Sequence, residues 1–401
     1  MDLKKIAGVA DVNPFFIYIV GFSIALIIYQ LDWSYLFPAL SFSLVTFLIV
    51  TFLISGTIGL YIHRKGLLKY QHFSNRLNVN WFIIAITIGY ILNFLYAGQI
   101  PLFSIANGAD VDYREFGIPT FYVILATFTS FFTVYLFKCY KDEREKKYLF
   151  FCLYLFVFPI LVFTRGAVLL NLSSIFFIYL FSYKKNKVKI YIKIVVIIFI
   201  VLIGFGLLGN IRTSNQIDKN GTQALSEIML NIGEAKPDFV NSSIPKEYFW
   251  SYLYISSPLA NLQINVNEQK PDYSVSKVLQ YINGELNFDF ISKRIFSIFG
   301  VEKPENTLIA PFLTVGTVYS TSYTYLGWWG MAVTFLFLMA VTFCYLLIMK
   351  PNNPYFSTGL AILNTFLLFC IFDNMFFFSG LSFQLVYPIL FSLKFKKAKS
   401  V

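Results

Sequence analysis

The sequence predicts an all-α fold: a polytopic transmembrane helix bundle of about ten or more spans, with one large loop containing short helices outside the cytoplasm. Three observations carry this. Charged residues make up 13% of the 401-residue chain and hydrophobic ones 57%, whereas a soluble domain carries about a quarter of its residues as charges. The apolar residues run in blocks of about twenty, which is what a hydrocarbon core of about 30 Å demands. Lys and Arg gather in the short segments between blocks, which is how membrane topology is set. The net charge of +11 is thus a topology signal rather than a nucleic-acid footprint.

The blocks place spans at roughly 14–31, 38–62, 80–97, 118–137, 148–164, 167–182, 190–208, 325–349, 356–372 and 377–393. The first follows Lys4 and Lys5, exceeds a signal-peptide core and precedes no small-residue cleavage site, so it reads as an uncleaved anchor. The fifth and sixth are separated only by Thr164-Arg165-Gly166, as a tight hairpin or a broken pair. Alternating sides puts 21 of the 32 Lys and Arg on one side, with both termini cytoplasmic, and an even number of spans follows. The chain divides into a first bundle at 1–208, an outer loop region at 209–322 and a closing bundle with a basic tail at 323–401. The loop holds 11 acidic and nine basic residues, scattered prolines and two amphipathic stretches suited to the membrane surface. Its end, Thr307 to Ser322, is apolar but broken by Pro311 and Gly316, and reads as a re-entrant segment.

None of the four cysteines lies in the loop, so no disulfide framework holds it. No Cys/His cluster has metal-ligand spacing, there is no nucleotide-binding glycine motif, and no cofactor is expected. Arg165 stands between two apolar stretches; it suits a phosphate or carboxylate in a cavity, or snorkels to headgroups. Arg212, after the seventh span, falls at nearly the same depth, and two such arginines suit a pyrophosphate. Arg114 sits among Asp110, Asp112 and Glu115 in an outer loop that is either a sugar site or solvated surface. Asp373, at the outer end of the ninth span, is a candidate proton acceptor or a turn cap with Asn374. Asn93 and Asn364 suit the bundle interior. Tyr254, Asn261, Tyr319 and Tyr323 offer the aromatic and amide groups that stack on and hydrogen-bond to carbohydrate, chemistry equally at home in an aromatic belt.

With TRG at 164–166, GNIR at 209–212, YISSPLANL at 254–262 and APFLTVGTVYSTSYTYLGWWG at 310–330, the chain resembles the bacterial O-antigen and capsule repeat-unit polymerases, the Wzy family. The resemblance implies a metal-independent membrane glycosyltransferase at the periplasmic face of the inner membrane. It would join undecaprenyl-pyrophosphate-linked oligosaccharide units and release undecaprenyl pyrophosphate, with a chain-length regulator and a flippase as pathway partners. Arg165 and Arg212 match the arginines expected to hold pyrophosphate. Asp373, Glu247 and Asp289 are nominees for the general base, which no motif fixes. The related O-antigen ligases are expected to use a histidine near the long loop, but His63 and His72 both lie in a basic loop assigned to the other side. A flippase or other transporter is the reading from a different class, with charges expected deeper in the helices.

Overall fold

The computed structural model describes residues 12–75, 77–107, 116–183 and 225–399. Its helices run in order α1 (Pro14–Tyr29), α2 (Phe42–Arg64), α3 (Val79–Ala97), α4 (Pro101–Ala106), α5 (Phe121–Glu143), α6 (Lys146–Leu155), α7 (Val157–Leu161) and α8 (Arg165–Ser182). After the undescribed stretch come α9 (Leu225–Ile232), α10 (Pro237–Val240), α11 (Tyr248–Glu268), α12 (Val275–Glu285) and α13 (Asp289–Phe299). The chain closes with α14 (Ser320–Ile348), α15 (Phe356–Phe369), α16 (Ser379–Ser382), a 3-10 turn and α17 (Val386–Lys399).

Five of these helices, α2, α3, α5, α8 and α14, are long and apolar enough to cross a membrane, half the number expected from the sequence. Three shorter apolar helices, α1, α15 and the Ser379–Leu393 stretch, fall on expected spans. The fifth expected span is broken into α6 and α7. Pro159 has no N–H for the Leu155 carbonyl four residues back, and its ring crowds that oxygen. The seventh, 190–208, lies outside the described residues. On α3, Trp81, Ile84, Ile88, Ile91 and Leu95 form an exposed stripe at helical spacing, while Ile83, Ile86, Tyr90 and Asn93 face inward. Such a stripe belongs in hydrocarbon.

The centre is α15, buried at every position from Phe356 to Leu367 and packed on α1, α5 and α8. Helices are tied across the bundle by buried hydroxyls: Tyr18 to Thr51 at 2.9 Å and to Tyr319 at 2.6 Å, Ser174 to Thr365 at 2.9 Å, and Thr127 to Tyr387 at 2.9 Å. Such ties contribute on average about 0.6 kcal/mol each in membranes. Asn93 and Asn364 do the same, the first accepting from Ile118 N at 2.9 Å, the second donating to Val12 O at 3.1 Å.

At one end of the bundle, the basic end, Asp142 is 2% exposed and forms an ion pair with Lys138 at 2.7 Å. It also accepts from Tyr70 at 2.5 Å and Phe73 N at 3.2 Å, and meets His72 at 2.9 Å. This knot fastens the loop after α2 onto α5.

The other end carries residues 225–319, where the two amphipathic stretches form the short helices α9, α12 and α13, while the loop reading of the stretch between them needs correction. The 21-residue α11 is buried against α1 and α14. Its polar residues read as loop but are spent inside: Asn261 donates to the Leu313 and Val315 carbonyls at 2.7 and 2.9 Å and accepts from Ile309 N at 2.9 Å. Asn265, one turn on, exchanges two hydrogen bonds with the Thr307 backbone at 2.8 and 3.0 Å. The non-helical 307–319 segment is thereby pinned into the bundle, with Val318 N donating to Cys370 O at 2.9 Å, so backbone outside a helix is satisfied by protein. α14 is kinked at Leu326 and Gly327, the latter at φ +55°, so Ser320–Tyr325 double back along the rod that follows, with Ser322 beside Thr334.

Two stability outcomes follow. Asp142→Asn leaves the Lys138 ammonium buried without its counter-charge and is expected to cost about 3–5 kcal/mol. Gly327→Ala puts a Cβ on a left-handed backbone and 2.5 Å from Pro271 Cγ, with an expected cost of about 1–3 kcal/mol. Both are read as lowered melting temperatures of the purified protein in detergent.

Candidate functional site

The loop end gathers carboxylates around one ammonium. Glu285 ends α12, and its carboxylate is 1% exposed. Oε2 accepts from Asn374 Nδ2 at 2.9 Å and Ser322 Oγ at 3.3 Å, and Oε1 lies 3.1 Å from Lys303 Nζ. Lys303 reaches in from the non-helical stretch after α13, a third exposed, with its ammonium 4.1 Å from the Phe377 ring centroid. The kink in α14 brings Ser322 back beside the same helix, where it hydrogen-bonds Thr334 at 2.8 Å, and Thr334 in turn bonds Tyr281 at 2.8 Å. Hydroxyls thus run in series from the α14 rod to the Glu285 carboxylate.

Asp373 sits in the turn after α15. Its Oδ1 accepts from Asn374 N at 2.7 Å. Asn374 closes the turn by accepting from Phe376 N at 3.1 Å and Phe377 N at 3.3 Å, while its amide holds the Glu285 carbonyl at 2.8 Å. Asp373 is exposed, and the protein packed about its carboxyl raises it above the ordinary range. Lys303 and the Asn374 N–H oppose the rise; Glu285 and Asp289 add to it. Asp289 opens α13, where its N–H donates to Phe377 O at 2.9 Å and its carboxylate accepts a close hydrogen bond from Ser379.

Two of the three general-base nominees, Asp373 and Asp289, are therefore brought together. Glu247, half-buried before α11, shares no hydrogen bond or ion pair with them among the described residues. Arg165 is the first residue of α8, exposed, with its guanidinium over the Phe163 ring at 4.8 Å and no ion pair among the described residues. α8 runs antiparallel to α15, since Ser174 meets Thr365 and, further along, Phe181 meets Phe356. Arg165 therefore lies at the loop end, as Asp373 does. Arg212 and Arg114 lie outside the described residues.

The substrate-binding candidates fare differently. The Asn261 amide is committed within the fold, and Tyr319 is fully buried with its hydroxyl on Tyr18. Tyr323 is buried and donates to Val266 O at 3.3 Å, and Tyr254 is half-buried against Trp250. Sequence reasoning missed Glu285 and Lys303. The signal was faint: Glu285 lies four residues after Tyr281 on an amphipathic helix whose apolar residues suggest the opposite face as the buried one. Among the described residues no three His, Cys, Asp or Glu side chains are grouped to hold a metal. Comparison with protein-family models, with curated proteins and with solved structures gives no match.

Asn374→Ala strips the buried Glu285 of two hydrogen bonds and opens the turn that holds Asp373. The expected cost is about 1–3 kcal/mol, measured as a drop in melting temperature that Asp373→Asn does not reproduce.

Proposed function

We propose that this chain is a repeat-unit polymerase, a glycosyltransferase that joins lipid-pyrophosphate-linked oligosaccharides. The observation that carries the reading is the placement, at one end of a membrane bundle, of Asp373 with its raised carboxyl and of Arg165, whose guanidinium has no ion pair among the described residues. Asp373 supplies a base whose proton affinity is moved toward neutral pH, as general-base work favours. Arg165 supplies a fork for phosphate oxygens. In the proposed reaction an acceptor sugar hydroxyl gives its proton to Asp373, and its oxygen bonds to the donor's anomeric carbon. The bond from that carbon to the pyrophosphate breaks, the electron pair leaves with the phosphate oxygen, and Arg165 offsets the charge that develops. Asp373 then returns its proton to solvent.

The orientation that goes with this reading has ten spans, both termini in the cytoplasm and the loop end in the periplasm of a bacterial inner membrane. Arg64, Lys65, Lys69, Lys138, Lys141 and Lys350 near the basic end support it. The undecaprenyl carrier, the chain-length regulator and the flippase belong to the proposal as well. A ligase is less well supported: His63 closes α2 and His72 bonds Asp142, both at the end opposite Asp373.

The test is extension of a synthetic undecaprenyl-pyrophosphate repeat unit by the purified protein. The parent is expected to build a ladder of lipid-linked oligomers, and folded Arg165→Ala and Asp373→Asn to slow it about 100-fold or more. No ladder with the organism's authentic substrate rules out the polymerase; a ladder undiminished in both variants rules out this site.

A further inference from the structure

We infer that Glu285 and Lys303 are positioning residues for Asp373, an opposed charge pair that holds the turn carrying it. The inference rests on the polymerase reading for the source of the proton; the pair's hold on Asp373 is a property of the fold.

Three distant segments meet to make the arrangement. Glu285, at the end of α12, grips Asn374 through its backbone carbonyl at 2.8 Å and its Oε2 at 2.9 Å. Asn374 in turn passes its N–H to Asp373 at 2.7 Å and closes the 374–377 turn with its side-chain oxygen. Lys303 completes the set from the segment after α13, paired with Glu285 at 3.1 Å and stacked on Phe377 of the same turn at 4.1 Å. A carboxylate buried to 1% is costly unless paired and hydrogen-bonded, so its position is fixed by those partners, and the turn is fixed with it.

The charged groups acting on Asp373 are Glu285 on α12, Asp289 on α13 and Lys303 on the linking segment. Their signs differ. Lys303 favours the ionised Asp373, so removing it must raise the pH at which the proton leaves. Glu285 disfavours it, so neutralising Glu285 must lower that pH. A clamp that only braced the fold would give no such opposition.

The experiment uses the full chain in detergent and a hydrophobic carbodiimide, which modifies protonated carboxyls, with labelling of Asp373 followed by mass spectrometry across pH. Lys303→Met is expected to shift the labelling midpoint upward, and Glu285→Gln to shift it downward, each by about one unit or more. Lys303→Arg, which keeps the charge, is expected to leave the midpoint near the parent's. Lys303 is partly exposed, so its two variants give a reading even if Glu285→Gln fails to fold. The acid limb of the chain-extension profile is expected to follow the same shifts. Midpoints that do not move, or that move the same way in Met and Gln variants, overturn the inference. So does an extension profile that ignores opposite labelling shifts. A parent protein that extends nothing defeats the polymerase reading instead, and labelling alone then decides the charge pair.

Discussion

Removing the Glu285 carboxylate from water imposes a condition that the whole loop end is built to meet. Its oxygens need partners, and no single neighbouring element offers enough. Asn374 comes from the turn after α15, Ser322 from the kinked start of α14, and Lys303 from the segment beyond α13. Each brings its own segment into place. The Gly327 backbone, at φ +55°, is what lets Ser322 turn back to this point. Take away one partner and the others are left around a charge that neither water nor protein balances.

The same economy governs the bundle as a whole. Without water to complete hydrogen bonds, side-chain amides and hydroxyls do the work that solvent does elsewhere. Asn261 and Asn265 serve as a surrogate strand edge for residues 307–315, and Tyr18, Thr51 and Tyr319 share a hydroxyl contact between three parts of the chain. Charged residues are few here, and the buried Asp142, Lys138 and Glu285 are all paired.

That scarcity explains what was and was not legible beforehand. Helical class and membrane character followed from block length and charge poverty, and the exposed stripe on α3 is what those blocks become. Asp373 was visible because it stands alone among apolar neighbours, and Arg165 because two apolar stretches flank it. Tyr319 and Asn261 misled because composition cannot tell a group offered to a sugar from one offered to a backbone carbonyl. Glu285 and Lys303 stayed hidden for a geometric reason. They are 18 residues apart in an amphipathic stretch, and only the return of the chain through α13 makes them neighbours. Pro159 could have announced the broken span, since its effect on a helix is local.

α12 turns the usual arrangement inside out. Its inner face carries Tyr281, Gly284 and Glu285, whereas Val275, Leu279 and Ile282 are exposed. A helix so built has no stable place in water by itself, because its greasy edge wants lipid and its acidic edge wants α14, Lys303 and Asn374. The loop end of this protein is therefore not an appendage mounted on a membrane anchor. An isolated fragment spanning residues 225–319 would lose the lipid on one side and the scaffold on the other, so this arrangement exists only where protein, lipid and water meet.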